Sequence, residues 1–158
     1  MEPNGAIFDG TRKYRYLLWR RWSPELPVLI CVLLNPSVAN ETDSDHTVTK
    51  LIAFAKQWGF GGLDLYNLFA ICSTYPKVLY EHSNPVGPEN DFHLCAIPSS
   101  SQVVCAWGRH GEYRGRGYSV ARSLRERNCK LMCFGKCKNG EPVHPLMIPY
   151  STELRLWQ

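Results

Sequence analysis

The sequence has no long hydrophobic run and none of the short motifs that mark the commonest enzyme families. Its apolar stretches fall well short of the roughly 20 residues needed to cross a membrane. The N-terminus, MEPNGAIFDG, carries acidic and turn-forming residues in place of the basic and apolar segments of a signal peptide. A Walker phosphate loop, a Gly-x-Ser-x-Gly elbow and a His-Glu-x-x-His zinc motif are also absent. We therefore expect a cytoplasmic protein that does not contact membranes.

An excess of charge of either sign is also missing. The chain has 18 basic and 14 acidic residues, a net charge of +4. With 158 residues, 44% of them hydrophobic, it has the size and composition of one globular domain with one substantial core. We predict a single domain over residues 1–158 that acts as a monomer. The mildly basic balance is compatible with a nucleic-acid partner without requiring one.

The seven cysteines do not form a disulfide or metal-binding pattern. Their number is odd and five lie within apolar stretches, which is typical of reduced thiols in a cytosolic protein. Cys129, Cys133 and Cys137 recur every four residues with His144 beyond them, a spacing that zinc sites use. However, the segment 129–134 is predicted to be a strand, in which residues four apart lie about 13 Å apart. We therefore expect no metal and no cofactor.

The sequence does contain a regular alternation of predicted strands and helices. Apolar runs predict strands at Val28–Leu34, Leu63–Leu68, Gln102–Trp107 and Lys130–Phe134. Apolar residues at helical spacing predict helices at Thr47–Trp58, Asp91–Ile97 and Tyr118–Arg127. This order predicts an α/β protein: a three-layer α/β/α sandwich with a central, mostly parallel four-stranded sheet.

Smaller signals refine this outline. Ser44 or Asp45 can cap the first helix and Gly59 can end it, while Asn90 can cap the second. The aromatic and basic segment 13–22 predicts an edge strand, with a nucleic-acid contact surface as the alternative. The C-terminal tail is expected to be a partial edge element.

Each of the four predicted strands is followed by polar or aromatic residues. The run Val28–Leu34 stops at Asn35, and Pro36 prevents its continuation. Ligands of parallel sheets bind beyond the carboxyl ends of the strands. We therefore expect one edge of the sheet to collect a candidate site, formed by Asn35, Pro36, Ser37, Asn67, Phe69, Trp107, Arg109, His110 and His144.

Ordinary structural roles remain open for most of these residues. Asn35 and Asn67 are normal turn residues, and Trp107 can be part of the core. His144 is a stronger candidate, because the residue before a proline is held extended. Arg114 and Arg116 alternate with glycines and fit a phosphate-contacting loop or a solvated surface. Asp43 and Asp45 are a possible acid pair, but carboxylates at the N-terminus of a helix are also favoured for structural reasons alone.

Taken together, several segments resemble a bacterial and phage family known only as a domain of unknown function. The shared segments are Leu34–Ser37, Asp45–Thr47, Trp58–Gly59, Asn67–Ala70, Asn84–Asn90, Ala106–Gly108 and His144–Leu146. That family in turn resembles a distant branch of the uracil-DNA glycosylase superfamily. The matching positions are the Asn35-Pro36 turn, Asn67 and the His144-Pro145 turn. Leu33 and Leu146 stand where that superfamily has Gly and Ser, which argues against uracil as the substrate.

The resemblance implies a DNA glycosylase that flips a modified base out of DNA and leaves an abasic site. Hypermodified or glucosylated cytosine in phage DNA is an implied substrate, removed in antiphage defence. A non-catalytic nucleic-acid-binding module and a hydrolase or transferase of free modified nucleotides are the alternatives.

The resemblance also implies roles for individual residues. Asn35 would orient the attacking water and His144 would donate a hydrogen bond to the base, with Asp45 as a second candidate for activating the water. Asn67 would recognise the base edge, while Phe69 or Trp107 would stack on the base. Pro36, Ser37 and His110 would complete the substrate site. The phosphate contacts are assigned to Arg109, Arg114, Arg116 and Lys138.

Overall fold

The computed structural model describes residues 2–158 and contains a seven-stranded sheet. The strands are β1 (Asn4–Phe8), β2 (Arg15–Arg21), β3 (Val28–Leu33), β4 (Gly62–Asn67), β5 (Gln102–Cys105), β6 (Lys130–Cys133) and β7 (Arg155–Leu156). Their spatial order is β1-β2-β4-β3-β5-β6-β7. The four neighbours β4, β3, β5 and β6 run parallel, whereas β1, β2 and β7 pair antiparallel.

Helices cover both faces of this sheet. They are α1 (His46–Gln57), α2 (Lys77–Glu81), α3 (Asn90–Cys95) and α4 (Arg116–Glu126), with two 3-10 segments at Arg109–Gly115 and Pro145–Met147. The core between α1 and the sheet contains Leu51 and Phe54. The core on the opposite face contains Leu94 of α3 and Leu124 of α4. The α/β class is confirmed. Among residues 2–158, no helix is long and apolar enough to span a bilayer.

Strand β3 is apolar throughout because both of its faces are covered. Cys31 and Leu33 belong to the core beneath α1, and Val32 belongs to the core beneath α3 and α4. A continuous rather than alternating apolar run is typical of such a strand. The strand's polar successor, Asn35, therefore lies at the edge of a fully buried element.

The expected four-stranded sheet is wrong in its strand number. The predicted strands form its parallel part, but β1, β2 and β7 extend it. The segment 13–22 was expected to be an edge strand, yet β2 lies between β1 and β4. The short segment 4–8 gave no apolar signal, and it fits because Gly5 lies against Trp19, whose Cζ2 would be 2.2 Å from an added Cβ. The tail does form an outer strand, β7.

The first helix begins and ends as its sequence predicts. The Asp45 side chain accepts a hydrogen bond of 3.0 Å from the backbone N–H of Val48, so Asp45 is the N-cap. Gly59, just after the helix, has a φ of +82°, the left-handed conformation that ends helices and favours glycine. The start of α1 is thereby fixed at the carboxyl edge of the parallel strands.

Candidate functional site

A cleft of about 670 Å³ opens at the carboxyl edge of the parallel strands. Strand β4 lies on one side of β3, and the next strand along the chain, β5, lies on the other side. Open α/β sheets bind ligands at the point where the strand order reverses in this way. Its lining includes residues at or just after the ends of β3, β4 and β5, and residues of the loop that follows β6. The predicted residues that the structure brings together there are Asn35, Ser37, Asp45, Asn67, Trp107, Arg109, His110 and His144.

The side chain of Asn35 is held in one orientation by the loop beside it. Its Nδ2 donates to the carbonyl oxygens of Pro36, Ile71 and Ser73 at 3.1, 3.3 and 2.9 Å. Pro36, predicted to contact the substrate, is buried and does not line the cleft. Its carbonyl oxygen also accepts from the N–H of Ser73 at 2.8 Å. Within residues 2–158, Oδ1 of Asn35 has no hydrogen-bond partner. An acceptor oxygen is thus left free in a side chain that lines the cleft.

The ring of His144 is fixed by the turn that it begins. Nδ1 accepts a hydrogen bond of 3.2 Å from the N–H of Leu146, so in the neutral ring the proton is on Nε2. Burial lowers the pKa of His144 to about 4; Asp45 raises it and Lys50 lowers it. At neutral pH this side chain is therefore an uncharged hydrogen-bond donor.

Asp45 is the one carboxylate among the described residues that line the cleft. Its Oδ1 caps α1, and Oδ2 has no hydrogen-bond partner elsewhere in residues 2–158. Burial lowers the pKa of both Arg15 and His144, and the charge of Asp45 counters that effect at each of them. Asp45 therefore combines a structural bond with a free oxygen in the cleft.

Asn67, at the end of β4, is completely buried. Neither Nδ2 nor Oδ1 of its side chain has a hydrogen-bond partner in the described chain. The backbone here is held by Asn90, whose Nδ2 donates to the carbonyl oxygens of Asn67 and Leu68 at 3.0 Å each. The expected capping role of Asn90 is therefore wrong: Glu89 is the N-cap of α3, and Asn90 positions the strand end instead.

A family model described as "Protein of unknown function (DUF1643)" matches residues 15–146. The chain belongs to this family. The matched region begins at Arg15 in β2 and ends at Leu146, so it includes the elements that form most of the cleft. No curated protein and no solved structure matches the chain.

Sequence reasoning missed several residues that line the cleft of this DUF1643 protein, among them the buried Arg15. Its side chain is 2% exposed, although it lines the cleft. Its Nη1 donates to the carbonyl oxygen of Ala39 at 2.8 Å, but its Nε has no partner in residues 2–158. The interleaved aromatic and basic pattern of segment 13–22 indicated a half-exposed surface. The register between β1 and β2 shifts between Ile7 and Phe8, so that Phe8 pairs with Arg15, and no local sequence pattern predicts this shift.

Two residues predicted to stack on a substrate cannot do so. Phe69 is 0% exposed and does not line the cleft; it packs in the core, where its ring centroid lies 6.0 Å from that of Tyr113. Trp107 borders the cleft, but its ring and its Nε1 are already engaged within the protein. Its ring packs edge-on against Trp157, and its Nε1 donates to Glu141. Both aromatic side chains are structural.

Of the four side chains predicted to contact phosphates, one is bonded within the protein and three are exposed. Arg116 is engaged, because its Nε donates to the carbonyl oxygen of Leu68 at 2.8 Å and its Nη2 pairs with Asp91 at 2.6 Å. Arg109, Arg114 and Lys138 are exposed. Only Arg109 lines the cleft itself. The phosphate role predicted for Arg116 is therefore replaced by a structural one.

His110 lies at the cleft beside α2. Its Nδ1 and the hydroxyl of Tyr80 are 2.7 Å apart. Burial, with the neighbouring charge of Arg109, lowers the pKa of His110. Like His144, it is therefore biased toward the neutral form.

The mouth of the cleft has exposed apolar side chains. Leu146 and Met147, which follow His144-Pro145, are 50% and 77% exposed. Val38, on the loop after β3, is 70% exposed. All three side chains also line the cleft.

The cysteine series does not assemble a metal site in residues 2–158. Cys129 and Cys133 are buried, whereas Cys137 is partly exposed and lines the cleft. No group of three or more His, Cys, Asp or Glu side chains in that range is arranged to hold a metal ion.

Proposed function

We propose that this protein hydrolyses the N-glycosidic bond of a modified base in DNA and leaves an abasic site. The observation that carries the proposal is the pair formed by Asn35 and His144 in one cleft. Asn35 offers a free acceptor oxygen, and His144 offers a neutral N–H donor. Hydrolysis of a glycosidic bond needs both kinds of group, one for the water and one for the departing base.

The reaction passes through an oxocarbenium-like state at C1′ of the sugar. The bond from C1′ to the base breaks, and its electron pair leaves with the base. Water then forms the new bond to C1′. Nε2 of His144 donates to an oxygen of the base as negative charge develops there, which stabilises the transition state more than the ground state. A neutral donor is suited to this task, because it does not protonate the base prematurely.

The attacking water needs an orienting group and a proton acceptor. Oδ1 of Asn35 is suited to orientation, but an amide is too weak a base to take the proton. Asp45 is suited to that second role, because its Oδ2 is free and no other described carboxylate lines the cleft. We therefore assign the orientation of the water to Asn35 and the acceptance of its proton to Asp45.

The resemblance to the uracil-DNA glycosylase superfamily supports this assignment through Asn35-Pro36, Asn67 and His144-Pro145. The positions at which this chain departs from the superfamily motifs concern which base is bound. Leu33, where a Gly is expected, is buried in the cleft wall. The cleft volume of about 670 Å³ suits a ligand larger than a bare pyrimidine. These features support a modified base, including a glucosylated cytosine of phage DNA.

The surface around the cleft supports DNA as the carrier of that base. The exposed Leu146 and Met147 are suited to fill the gap that a flipped base leaves in the stack. Arg109 and Lys138 are suited to contact the adjacent phosphates. The two segments are joined, since Nδ2 of Asn139 donates to the carbonyl oxygen of Arg109 at 3.0 Å.

The test is to incubate the protein with DNA that contains uracil, hydroxymethylcytosine or glucosylated hydroxymethylcytosine, in single and double strands. We expect alkali-labile abasic sites on at least one modified DNA. The matching free nucleosides form a second arm, and their exclusive cleavage would replace the proposal with a nucleotide hydrolase. Salt-sensitive DNA binding without base release would indicate a binding module instead.

A further inference from the structure

The floor of the cleft contains two buried polar side chains whose hydrogen-bonding capacity is unused. Asn67 is 0% exposed, and both polar atoms of its side chain lack partners in residues 2–158. Arg15 is 2% exposed, and its Nε lacks one as well. Leaving such a buried group unsatisfied costs on the order of 1–3 kcal/mol. Tyr16, Asn90 and Arg127 also have such atoms, but of these residues Arg15 and Asn67 are the two that line the cleft, where a ligand can pair with them.

A second buried arginine, Arg20, makes many more hydrogen bonds to the protein than Arg15 does. Arg20 is 4% exposed, nearly as buried as Arg15. Its guanidinium donates to Oγ of Ser44 and to the carbonyl oxygens of Trp19, Asn40, Glu41 and Asp43. Arg20 thereby fastens the loop 40–44 to the sheet. Arg15, by contrast, makes one hydrogen bond from its side chain, to Ala39.

Arg15 also lacks a close counter-ion. The ion pairs within 4.0 Å in residues 2–158 join Arg12, Arg21, Arg116 and Arg122 to carboxylates, and Arg15 is not among them. Burial lowers the pKa of Arg15 to about 10, so the side chain still carries its charge at neutral pH. A buried cation without a close partner is costly, and an anion brought to it relieves that cost.

The other charges of the cleft favour an anion too. Arg15 and Arg109 are its fixed cations, and Asp45 is its one described carboxylate. Three histidines also line it, His46, His110 and His144. Burial is the first cause of a lowered pKa at His110 and at His144. The balance of fixed charge is therefore positive, with the most buried cation at the floor.

We propose that Arg15 and Asn67 form the recognition floor for a pyrimidine-type base that carries an anionic oxygen substituent, such as a carboxylate. The planar guanidinium fork of Arg15 matches the two oxygens of that group. The amide of Asn67 offers one acceptor and one donor face, which matches the ring nitrogen and exocyclic group of a pyrimidine edge. The inference rests on the proposed function for the ligand being a base, and it names the class of base.

The test uses two nucleosides of nearly equal shape and different charge. Binding of 5-carboxy-2′-deoxycytidine and of 5-carbamoyl-2′-deoxycytidine to the whole protein is measured by calorimetry. We expect the carboxylate to bind at least about tenfold more tightly than the carboxamide, in line with a charge-assisted hydrogen bond. We expect Arg15→Gln to abolish that preference, and Arg122→Gln, a change to an exposed side chain, to leave it intact.

The comparison in the wild-type protein does not depend on whether Arg15→Gln folds. Equal affinity for the two nucleosides, or no binding of either, overturns the inference. Arg15→Lys keeps the charge without the fork, and we expect it to retain part of the preference. Base release from DNA, including DNA that contains 5-carboxycytosine, is scored separately. Release without a preference for the anion refutes only the inference, whereas binding of the anion without release from any DNA refutes only the proposed function.

Discussion

The imidazole of His144 accepts a hydrogen bond at Nδ1 from the backbone N–H of Leu146, 3.2 Å away. Protonating the ring at Nδ1 would break this bond, and burial already opposes the charged form. The usual pKa of 6.5 is lowered to about 4. The ring should therefore remain a neutral Nε2–H donor over the whole physiological range of pH.

We predict that the ring carbon signals of His144 in a carbon-13 NMR titration show no transition near pH 6.5 and change only as the pH approaches about 4. Base release should likewise keep its His144-dependent component down to that pH. Because the folded-state pKa is lowered, the unfolded chain binds the proton first. This group therefore makes the fold less stable as pH falls from about 6.5 toward 4. A transition near 6.5 would contradict the assigned tautomer and environment.

Asp45 has a capping role and a proposed catalytic role, and two substitutions separate them. Asn is as good an N-cap as Asp, so Asp45→Asn should keep the melting temperature nearly unchanged while removing the carboxylate. Asp45→Ala should lower the free energy of unfolding by about 1 kcal/mol. If Asp45 takes the proton from water, both variants should lose base release by at least about a hundredfold. Full activity in Asp45→Asn would show that Asp45 caps α1 and does not take the proton.

The turn after β5 depends on the contact between Gly111 and Trp107. A Cβ added to Gly111 would lie 1.9 Å from Cδ1 of Trp107, whose ring is buried and cannot move aside freely. Gly111→Ala should therefore lower the free energy of unfolding by about 1–3 kcal/mol in a urea melt. Gly10→Ala is the matched control, since nothing lies within 4 Å of its added Cβ. Equal stability of the two variants would contradict this packing.

The exposed cations near the cleft should act through DNA phosphates. Arg109→Gln and Lys138→Gln should each weaken binding to all DNA sequences alike and reduce the slope of log affinity against log salt by about 1. Arg116→Gln should change stability instead, because this side chain is bonded to Leu68 and Asp91. Fluorescence anisotropy with labelled DNA at several salt concentrations measures the slope. An unchanged slope in both Arg109→Gln and Lys138→Gln would exclude these phosphate contacts.

Much of the parallel sheet and of the cleft can be predicted from the sequence, because each depends on a local pattern. The apolar run Val28–Leu34 and the helical spacing of Thr47–Trp58 identify elements that agree with β3 and α1 to within one residue at each end. The rule that parallel strands collect ligands at their carboxyl ends then brings Asn35 and His144 to one place. That inference needs the order of elements and no contact detail.

The remaining features depend on pairing that no local pattern records. Arg15 is one of three arginines in β2. The guanidinium of Arg20, in the same strand, is hydrogen-bonded by the loop 40–44, whereas Nε of Arg15 has no partner in residues 2–158. Phe69 follows Asn67 by two residues, yet it faces the core. The Gly-rich sequence around Arg116 predicts a loop, but Arg116 begins α4. Register and side-chain direction decide all three outcomes.

The most direct measurement is base release from modified phage-type DNA by the wild type, Asn35→Ala and His144→Ala, scored as alkali-labile sites. Asn4→Ala is the control, since it removes an exposed amide outside the cleft. Melting curves measure the stability that Asn35→Ala loses with its three hydrogen bonds, so that a fall in activity caused by unfolding is recognised. We predict abasic sites with the wild type and Asn4→Ala, and a loss of about a hundredfold or more in both cleft variants. Full activity in both cleft variants, or no abasic site on any DNA, would contradict the account.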